Sequence, residues 1–457
     1  MCAVQPFPVF GRTACRFAGG LVAILLLLVL ALPNAALAHA ALVKTDPADG
    51  AVLADSPQRF SLTFSEPVSP LALTLVRPDG TPQALTSFRL DDQTVEIDNP
   101  GKLVSGTHVL SWRVISADGH PVGGSLLFSI GAPSAAPAVS EATDWSLRSA
   151  IWAAKVLLYV GLFIGVGGAF ALAWLAGEAR AGQRLVVAAL LCGLAAAVVS
   201  FGLQGLDALG APLARFADPV IWRTAAGTSF AWTVLIALIS LGLGLLSLAG
   251  PRAIAKPLAL LGLAGVGAAL AASGHASAAA PQWLTRPMVF LHGAGIAFWA
   301  GALAPLGLAL RRRATGSVPF LHRFSRAIVP VVAVLAVAGV VLAVIQVQAP
   351  QALIDTAYGR LLLVKLMLLL LLFALAALNR WRFTVPAEAG DGLAGRSLVR
   401  SIVLEMLIVL AILGVAAGWR FTPPPRALAI AAAQPVSAHI HTLKAMADLS
   451  ITPGHAG

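Results

Sequence analysis

Eight long apolar segments constrain this chain more than any other feature. They cover residues 149–176, 184–206, 229–249, 254–273, 287–310, 327–346, 359–378 and 398–417. Each is close to the ~20 residues an α-helix needs to cross the hydrocarbon of a bilayer. Within lipid only helices and closed barrels satisfy their own backbone hydrogen bonds. The expectation is therefore an all-α polytopic domain of eight transmembrane helices, with the lipid bilayer as its surroundings. Composition agrees: 58% of the 457 residues are hydrophobic and 11% are charged, against about 25% charged in an ordinary soluble domain.

Orientation follows from two independent signals. Arg12 and Arg16 precede an apolar run over 19–32, and Ala36-Leu37-Ala38 has the small-x-small pattern that signal peptidase cuts after. Residues 1–38 read as a signal peptide whose removal makes His39 the first residue. The segment that follows is exported, so the first span enters from outside. The internal loops then carry Arg180 and Arg184, Arg252 and Lys256, "RRRATGSVPFLHRFSR" and "NRWRF…RSLVR", while the outer loops hold only Arg215, Arg223, Arg286 and Arg360. The positive-inside rule gives the same answer. The predicted location is the inner (plasma) membrane, with the N-terminal domain and the C-terminus on the periplasmic side. These loops account for the net charge of +11. No basic patch interleaved with aromatics points to nucleic acid. Cys2 and Cys15 lie in the signal region and Cys192 in an apolar run, so the mature chain has no disulfide and no cysteine metal cluster.

Between His39 and about Ser140 the texture changes. Turn signals ("DPADG", "RPDG", "DNPGK", "SADGHP") separate short alternating stretches ("RFSLTFSE", "LALTLVRP", "TVEID", "THVLSWRV", "SLLFSIG"). This pattern predicts a small antiparallel β-sandwich or barrel. We place that domain at 39–131, a Pro/Ala/Ser linker at 132–144, the membrane domain at 145–421 and a tail at 422–457. The tail ends in "AHIHTLKAMADLSITPGHAG". It reads as opening strands of a further β-domain, either truncated or packed on something else.

Few residues carry metal chemistry. A free N-terminal His39 would offer two nitrogen donors, its α-amine and its imidazole. Nitrogen donors with a carboxylate in tetragonal geometry suit Cu(II). Position alone favours an incidental histidine at a cleavage site. Asp118 and His120 in "SADGHP" lie two apart, so in an extended segment they share a face. Asp-Gly before a His-Pro pair is also strong turn chemistry, and both readings stay open. His108 has the strand parity of Leu110, Trp112 and Val114 and reads as a core or rim residue.

Two resemblances sharpen this picture. "AHAALVKTDPADGAVLADSPQRFSLTFSEPV" and "GTHVLSWRVISADGHPVGGSLLFSIG" resemble the CopC family of periplasmic copper-binding proteins. That resemblance implies a cupredoxin-like β-barrel that binds Cu(II) through an N-terminal His, an Asp and a His, which map onto His39, Asp118 and His120. A methionine-rich Cu(I) site, common among relatives, is not expected, because the domain has no methionine. "SGHAS", "FLHGAGIAFWAGALAPL", "FSRAIVPVVAVLAVAG" and "YGRLLLVKLMLLLLLFALAALNRWR" resemble the eight-span CopD family. The whole chain is similar to a CopC–CopD fusion of the copper resistance and copper transport families.

Inside the spans, polar residues are the candidates for function. His275 and His292 flank the loop between the fourth and fifth spans, and Met288 precedes His292 by one turn. A thioether with two imidazoles suits Cu(I) at the membrane mouth. Lys365 and Glu405 lie roughly 10 Å and 18 Å from the outer ends of their spans at 1.5 Å per residue, and either pair or line a polar path. Lys155 is similarly placed in the first span but is long enough to snorkel. His439 and His441 share a strand face in the tail.

The reading is a non-enzymatic copper-binding and copper-transporting protein. Its exported domain captures Cu(II) and passes copper to the membrane domain, with periplasmic copper proteins as further candidate partners. The competing readings are a b-type haem oxidoreductase using His275 and His292, and a tethered copper buffer or sensor. No nucleotide-binding loop is present.

Overall fold

The computed structural model describes residues 42–65, 67–116, 121–134, 144–177, 179–389, 391–432, 436–441 and 446–451. The expected signal segment with its expected cleavage site, and His39, Asp118 and His120, lie outside the described residues. The chain divides into two compact units. One holds residues 35–151, 201–231 and 423–457, and the other holds 152–200 and 232–422.

The first unit is built on nine strands. They are β1 (Leu42–Asp46), β2 (Ala51–Leu53), β3 (Arg59–Phe64), β4 (Ser69–Val76), β5 (Pro82–Ala84), β6 (Phe88–Asp91), β7 (Thr94–Asp98), β8 (Gly106–Ile115) and β9 (Pro121–Ile130). They form one sheet ordered β1-β3-β7-β6 and another ordered β2-β9-β8-β4-β5. All neighbours are antiparallel except β2 and β9.

Alternation drives this arrangement. In β3 the side chains of Phe60, Leu62 and Phe64 are buried while Arg59, Ser61 and Thr63 face outward. Val95 and Ile97 of β7, Leu110, Trp112 and Val114 of β8, and Leu126 and Phe128 of β9 close the same core. Each large apolar side chain taken out of water contributes about 1.5–3 kcal/mol. Phe64 and Trp112 join the two sheets edge to face at 5.1 Å between ring centroids.

His108 belongs to this core, as its strand parity predicts. It is fully buried and its ring stacks on Phe128 at 5.4 Å. Nδ1 lies 3.2 Å from the Gly106 carbonyl. A carbonyl only accepts, so Nδ1 carries a proton. Burial holds its pKa below the ordinary 6.5.

The tail provides two further strands, β10 (Val436–His441) and β11 (Met446–Ile451), paired antiparallel. β10 lies alongside β2 and β1. In the same unit, Arg113 Nη1 on β8 donates to the Asp207 carbonyl at 2.9 Å. Arg215 and the short helix Pro219–Ala226 also belong here. That helix is capped by Asp218, whose carboxylate accepts from the Val220 N–H and whose pKa lies below its ordinary value for that reason.

Eight helices are long and apolar enough to cross a membrane. They are α1 (Trp145–Trp174), α2 (Gln183–Leu209), α3 (Phe230–Ala249), α4 (Arg252–Ala272), α5 (Gln282–Arg311), α6 (Ser317–Val347), α7 (Ala357–Glu388) and α8 (Gly392–Gly418). Each contains the core of one predicted span. α5 is the hub, packing on α1, α4, α6 and α8. α1 is the most enclosed, with 72% of its apolar window buried against 11% for α6 and α7. The contrast leaves α6 and α7 the most exposed of the eight.

Hydrogen bonds between helices fix which ends lie together. At one end Trp152 Nε1 donates to the Gly414 carbonyl and Trp419 Nε1 to the Tyr358 carbonyl. At the other end Trp174 Nε1 donates to the Lys256 carbonyl, Arg323 Nε to the Leu175 carbonyl and Arg380 Nη1 to the Ser325 carbonyl. We call these the Trp152 end and the Trp174 end.

The tightest approach is between α1 and α5. A Cβ on Gly301 would lie 2.2 Å from the Gly167 carbonyl carbon, and a Cβ on Gly167 would lie 1.8 Å from the Ala297 oxygen. Only glycine permits this contact, as in other membrane helix pairs.

Two predictions follow from this packing. Gly301→Leu will force α1 off α5 and destabilise the folded chain by more than the ~1–3 kcal/mol of ordinary overpacking. Gly242→Ala, in open space on α3, will be neutral or slightly stabilising. Thermal unfolding in detergent compares them. For His108, a folded pKa depressed below 6.5 means that the unfolded chain binds a proton first on acidification. Stability of β8 and β9 is therefore present above 6.5 and lost as pH falls below it, and His108→Phe flattens that slope. Hydrogen exchange of β8 and β9 in the full chain, corrected for intrinsic rates, measures it.

Candidate metal centres

The strand pairings of the β-domain bring two distant stretches to one end. Leu42, at the start of β1, pairs with Phe64 at the end of β3. The chain then turns and begins β4 at Ser69, which pairs with Ile115 at the end of β8. Ile115 pairs in turn with Pro121, the first residue of β9. Leu42 follows His39 by three residues, and Ile115 and Pro121 bracket the segment that holds Asp118 and His120. The flanks of all three expected ligands thus share one end of the domain. His108 lies seven residues from Ile115 along β8, about 24 Å at strand spacing.

In the membrane unit the expected mouth residues are strung along a path. His275 opens a short helix, His275–Ala278, in the loop between α4 and α5. The loop is held by Gln346 Nε2, which donates to the His275 carbonyl at 3.0 Å, and by Thr285 Oγ1, which donates to the Ala279 carbonyl at 2.7 Å. Thr233 and Ser273 join their hydroxyls at 2.7 Å beside it.

His292 is further in, ten residues beyond the start of α5. Its Nδ1 lies 3.2 Å from the Leu335 carbonyl of α6. Since a carbonyl only accepts, Nδ1 carries the proton, and in the neutral ring Nε2 then keeps the lone pair that a metal requires. The ring fits because residue 339 is glycine; a Cβ there would lie 3.2 Å from His292 Cε1. Leu335 and Gln346 are eleven residues apart, about 16 Å along α6. His275 and His292 are therefore anchored at different depths. Met288, half-buried, lies one turn towards the mouth from His292.

Lys365 and Glu405 do not pair with each other. Lys365 Nζ lies 4.7 Å from the centre of the Trp419 ring, a cation–π contact. Trp419 stacks on Tyr358 at 5.1 Å. Glu405 lies fourteen residues from Trp419 along α8, about 21 Å away, and accepts from Asn379 Nδ2 on α7. Lys155 lies 5.9 Å from the Tyr159 ring on its own helix.

Asn379 is the functional candidate that the sequence reading missed. It falls one residue beyond the predicted seventh span, at the start of "NRWR", where the apolar run stops. The helix continues through it as a π-helical turn, Asn379–Thr384. No periodicity signal marks such a turn. His439 and His441 stand in register with Asp448 and Met446 on β10 and β11.

Comparisons with known proteins fit this architecture. A CopC domain model matches residues 42–131 and a Copper resistance protein D model matches residues 318–419, which covers α6 to α8. The chain is 26% identical over 470 residues to "Copper transport protein CutJ" of Bacillus subtilis (strain 168), spanning 95% of this chain and 83% of that protein. It is 32% identical over 105 residues to "Copper resistance protein C" of Xanthomonas campestris pv. juglandis, spanning 21% of this chain and 82% of that protein. The crystal structure of CopC from Methylosinus trichosporium OB3b aligns at 27% identity over 21% of this chain and 95% of that one, with a TM-score of 0.19. With its CopC domain followed by a CopD region, the chain belongs to the copper resistance and transport family as a CopC–CopD fusion.

Proposed function

We propose that this protein moves copper across the inner membrane, with the β-domain outside. The β-domain captures Cu(II) through His39, Asp118 and His120, and the membrane unit carries copper past His275, Met288 and His292. The observation that carries the capture step is the strand pairing that brings Leu42, Ile115 and Pro121 to one end of the domain. An N-terminal amine, two imidazoles and a carboxylate arriving there make a donor set suited to Cu(II). Cleavage of the signal segment would create the amine donor, so export and metal competence would coincide.

The transport step draws support from the bundle. Eight apolar helices with polar groups at several depths exceed what an anchor needs. His292 presents Nε2 as a soft-metal donor with Met288 one turn away, suited to Cu(I). Separate anchorage of His275 and His292 along α6 argues against a haem clasped by both. The matched relatives carry copper transport and copper resistance names, which point to a non-enzymatic role.

Two measurements test this reading. Adding one alanine ahead of His39 in the mature full chain will weaken Cu(II) binding by at least about tenfold, or ~1.4 kcal/mol. An unchanged affinity removes the N-terminal chelate. In proteoliposomes supplied with copper and a reductant, the native chain will accumulate copper, and His292→Ala will reduce the rate while leaving Cu(II) affinity of the exported domain intact. Absence of uptake by the native chain leaves a tethered buffer instead.

A further inference from the structure

We propose that Glu405, Asn379 and Ser401 form a proton-binding site within the membrane unit, where the Glu405 carboxyl takes up and releases a proton and the Asn379 amide turns to match it. The three side chains belong to residues only 3%, 7% and 9% exposed. Glu405 and Asn379 line a cavity of about 280 Å³ walled by Trp299 of α5, Phe324 of α6, Phe373 of α7 and Ile402 of α8. A water molecule occupies about 30 Å³ of liquid, so several fit.

The hydrogen-bonding capacity around Glu405 serves both protonation states. Asn379 Nδ2 donates to Glu405 Oε1, the arrangement an ionised carboxylate needs. Asn379 Oδ1 is buried without a partner. A half-turn about the last side-chain bond exchanges the two atoms, and Oδ1 then accepts from the O–H of the carboxylic acid. Ser401 Oγ, also buried without a partner, lies one turn from Glu405 on α8. A hydroxyl donates to a carboxylate and accepts from an acid. Thr384 Oγ1 donates to the Asn379 carbonyl across the π-helical turn, at 2.9 Å. That bond occupies a backbone acceptor which the altered helix geometry leaves available. Such turns often mark functional sites.

The charges nearby favour a proton over a metal ion. Facing Glu405 across the cavity, α5 contributes Trp299, Leu303 and Leu306, and α6 contributes Phe324 and Ser325. The other charged lining residue is Arg380, whose Nη1 donates to the Ser325 carbonyl and hydroxyl. Beyond the cavity Glu388 faces His322 at 3.5 Å. Among the described residues no cation stands within ion-pair distance of Glu405. A charge taken out of water without a partner is costly, and a bound proton removes it. The oxygen set has no imidazole or thioether for copper.

Coupling proton release to copper passage would supply an energy source in a chain without a nucleotide-binding loop. That coupling rests on the transport reading; the proton site does not. The test is pH-difference infrared spectroscopy of the full chain in lipid, paired with copper uptake into vesicles holding a pH dye. The native chain will show a carboxylic C=O band that titrates. Glu405→Gln will abolish it, and Ser401→Ala and Asn379→Ala will move its midpoint by about one pH unit, tenfold in proton affinity. Copper uptake by the native chain will carry protons, and uptake by Ser401→Ala will shift its pH dependence in step with the band. A spectrum unchanged by all three substitutions overturns the site, as does a band that responds to sodium ions and not to pH. A titrating Glu405 band without any copper uptake upholds the proton site and removes the transport reading.

Discussion

The bond between the Asn379 amide and the Glu405 carboxyl expresses a constraint that governs the whole bundle. Hydrocarbon offers no hydrogen bonds, so a polar group placed there is costly until it finds a partner in protein. The partners are specific. His292 uses the Leu335 carbonyl, Thr233 the Ala269 carbonyl and Trp152 the Gly414 carbonyl. Each of these bonds joins two helices: α5 to α6, α3 to α4 and α1 to α8. A net bond between neutral groups is worth only about 0.5–1.5 kcal/mol, but an orphaned buried group costs more. The polar contacts therefore select which helices are neighbours, while close apolar packing such as Gly167 on Gly301 supplies the attraction.

The β-domain solves the opposite problem. Its strands alternate because water accepts the outward face, and the inward faces of two sheets make one core. That core also fixes where the ends of the strands lie. The pairing of β4 with β8 and of β8 with β9 places Ser69, Ile115 and Pro121 side by side, and Phe64 and Trp112 hold the two sheets together near them. A metal site assembled from chain segments far apart in sequence needs this kind of support, since ligand geometry is only as firm as the elements that carry it. His108 shows the other fate of a histidine in the same strand. Buried at the far end, stacked on Phe128 and bonded to Gly106, it is part of the packing.

Legibility from sequence followed the strength of the local signal. Spans could be read because a run of ~20 apolar residues has few alternatives. Strands β3, β4, β7, β8 and β9 could be read from alternation. β2 and β5, with three residues each, are too short to show a period, and all four residues of β6 are exposed, so no buried face marks it. Within the membrane unit, the presence of Lys365 and Glu405 was legible but their partners were not. Lys365 finds the Trp419 ring, fifty-four residues further along the chain. Glu405 finds Asn379, which sits where the apolar signal ends. The proton position on His292 was hidden for a simpler reason: it is set by a carbonyl 43 residues away.

The depth order of these groups separates two kinds of chemistry. Met288 and His292, with sulfur and nitrogen donors, lie within the first three turns of α5 from the His275 loop. Glu405, Asn379 and Ser401 offer oxygen and lie towards the Trp174 end, beyond Lys365 and the Trp419–Tyr358 stack. The Trp419 π-face holds the Lys365 ammonium 4.7 Å from its centre. A carboxyl deeper in the bundle lowers the cost of passage only when it is ionised, because a neutral acid attracts no cation. Loss of the Glu405 proton is thus the event that would make the deeper half of the bundle attractive to a positive ion, and its return would make that half release one. The two chemistries need not share a ligand to be linked; the field of one charge acting on the next is sufficient.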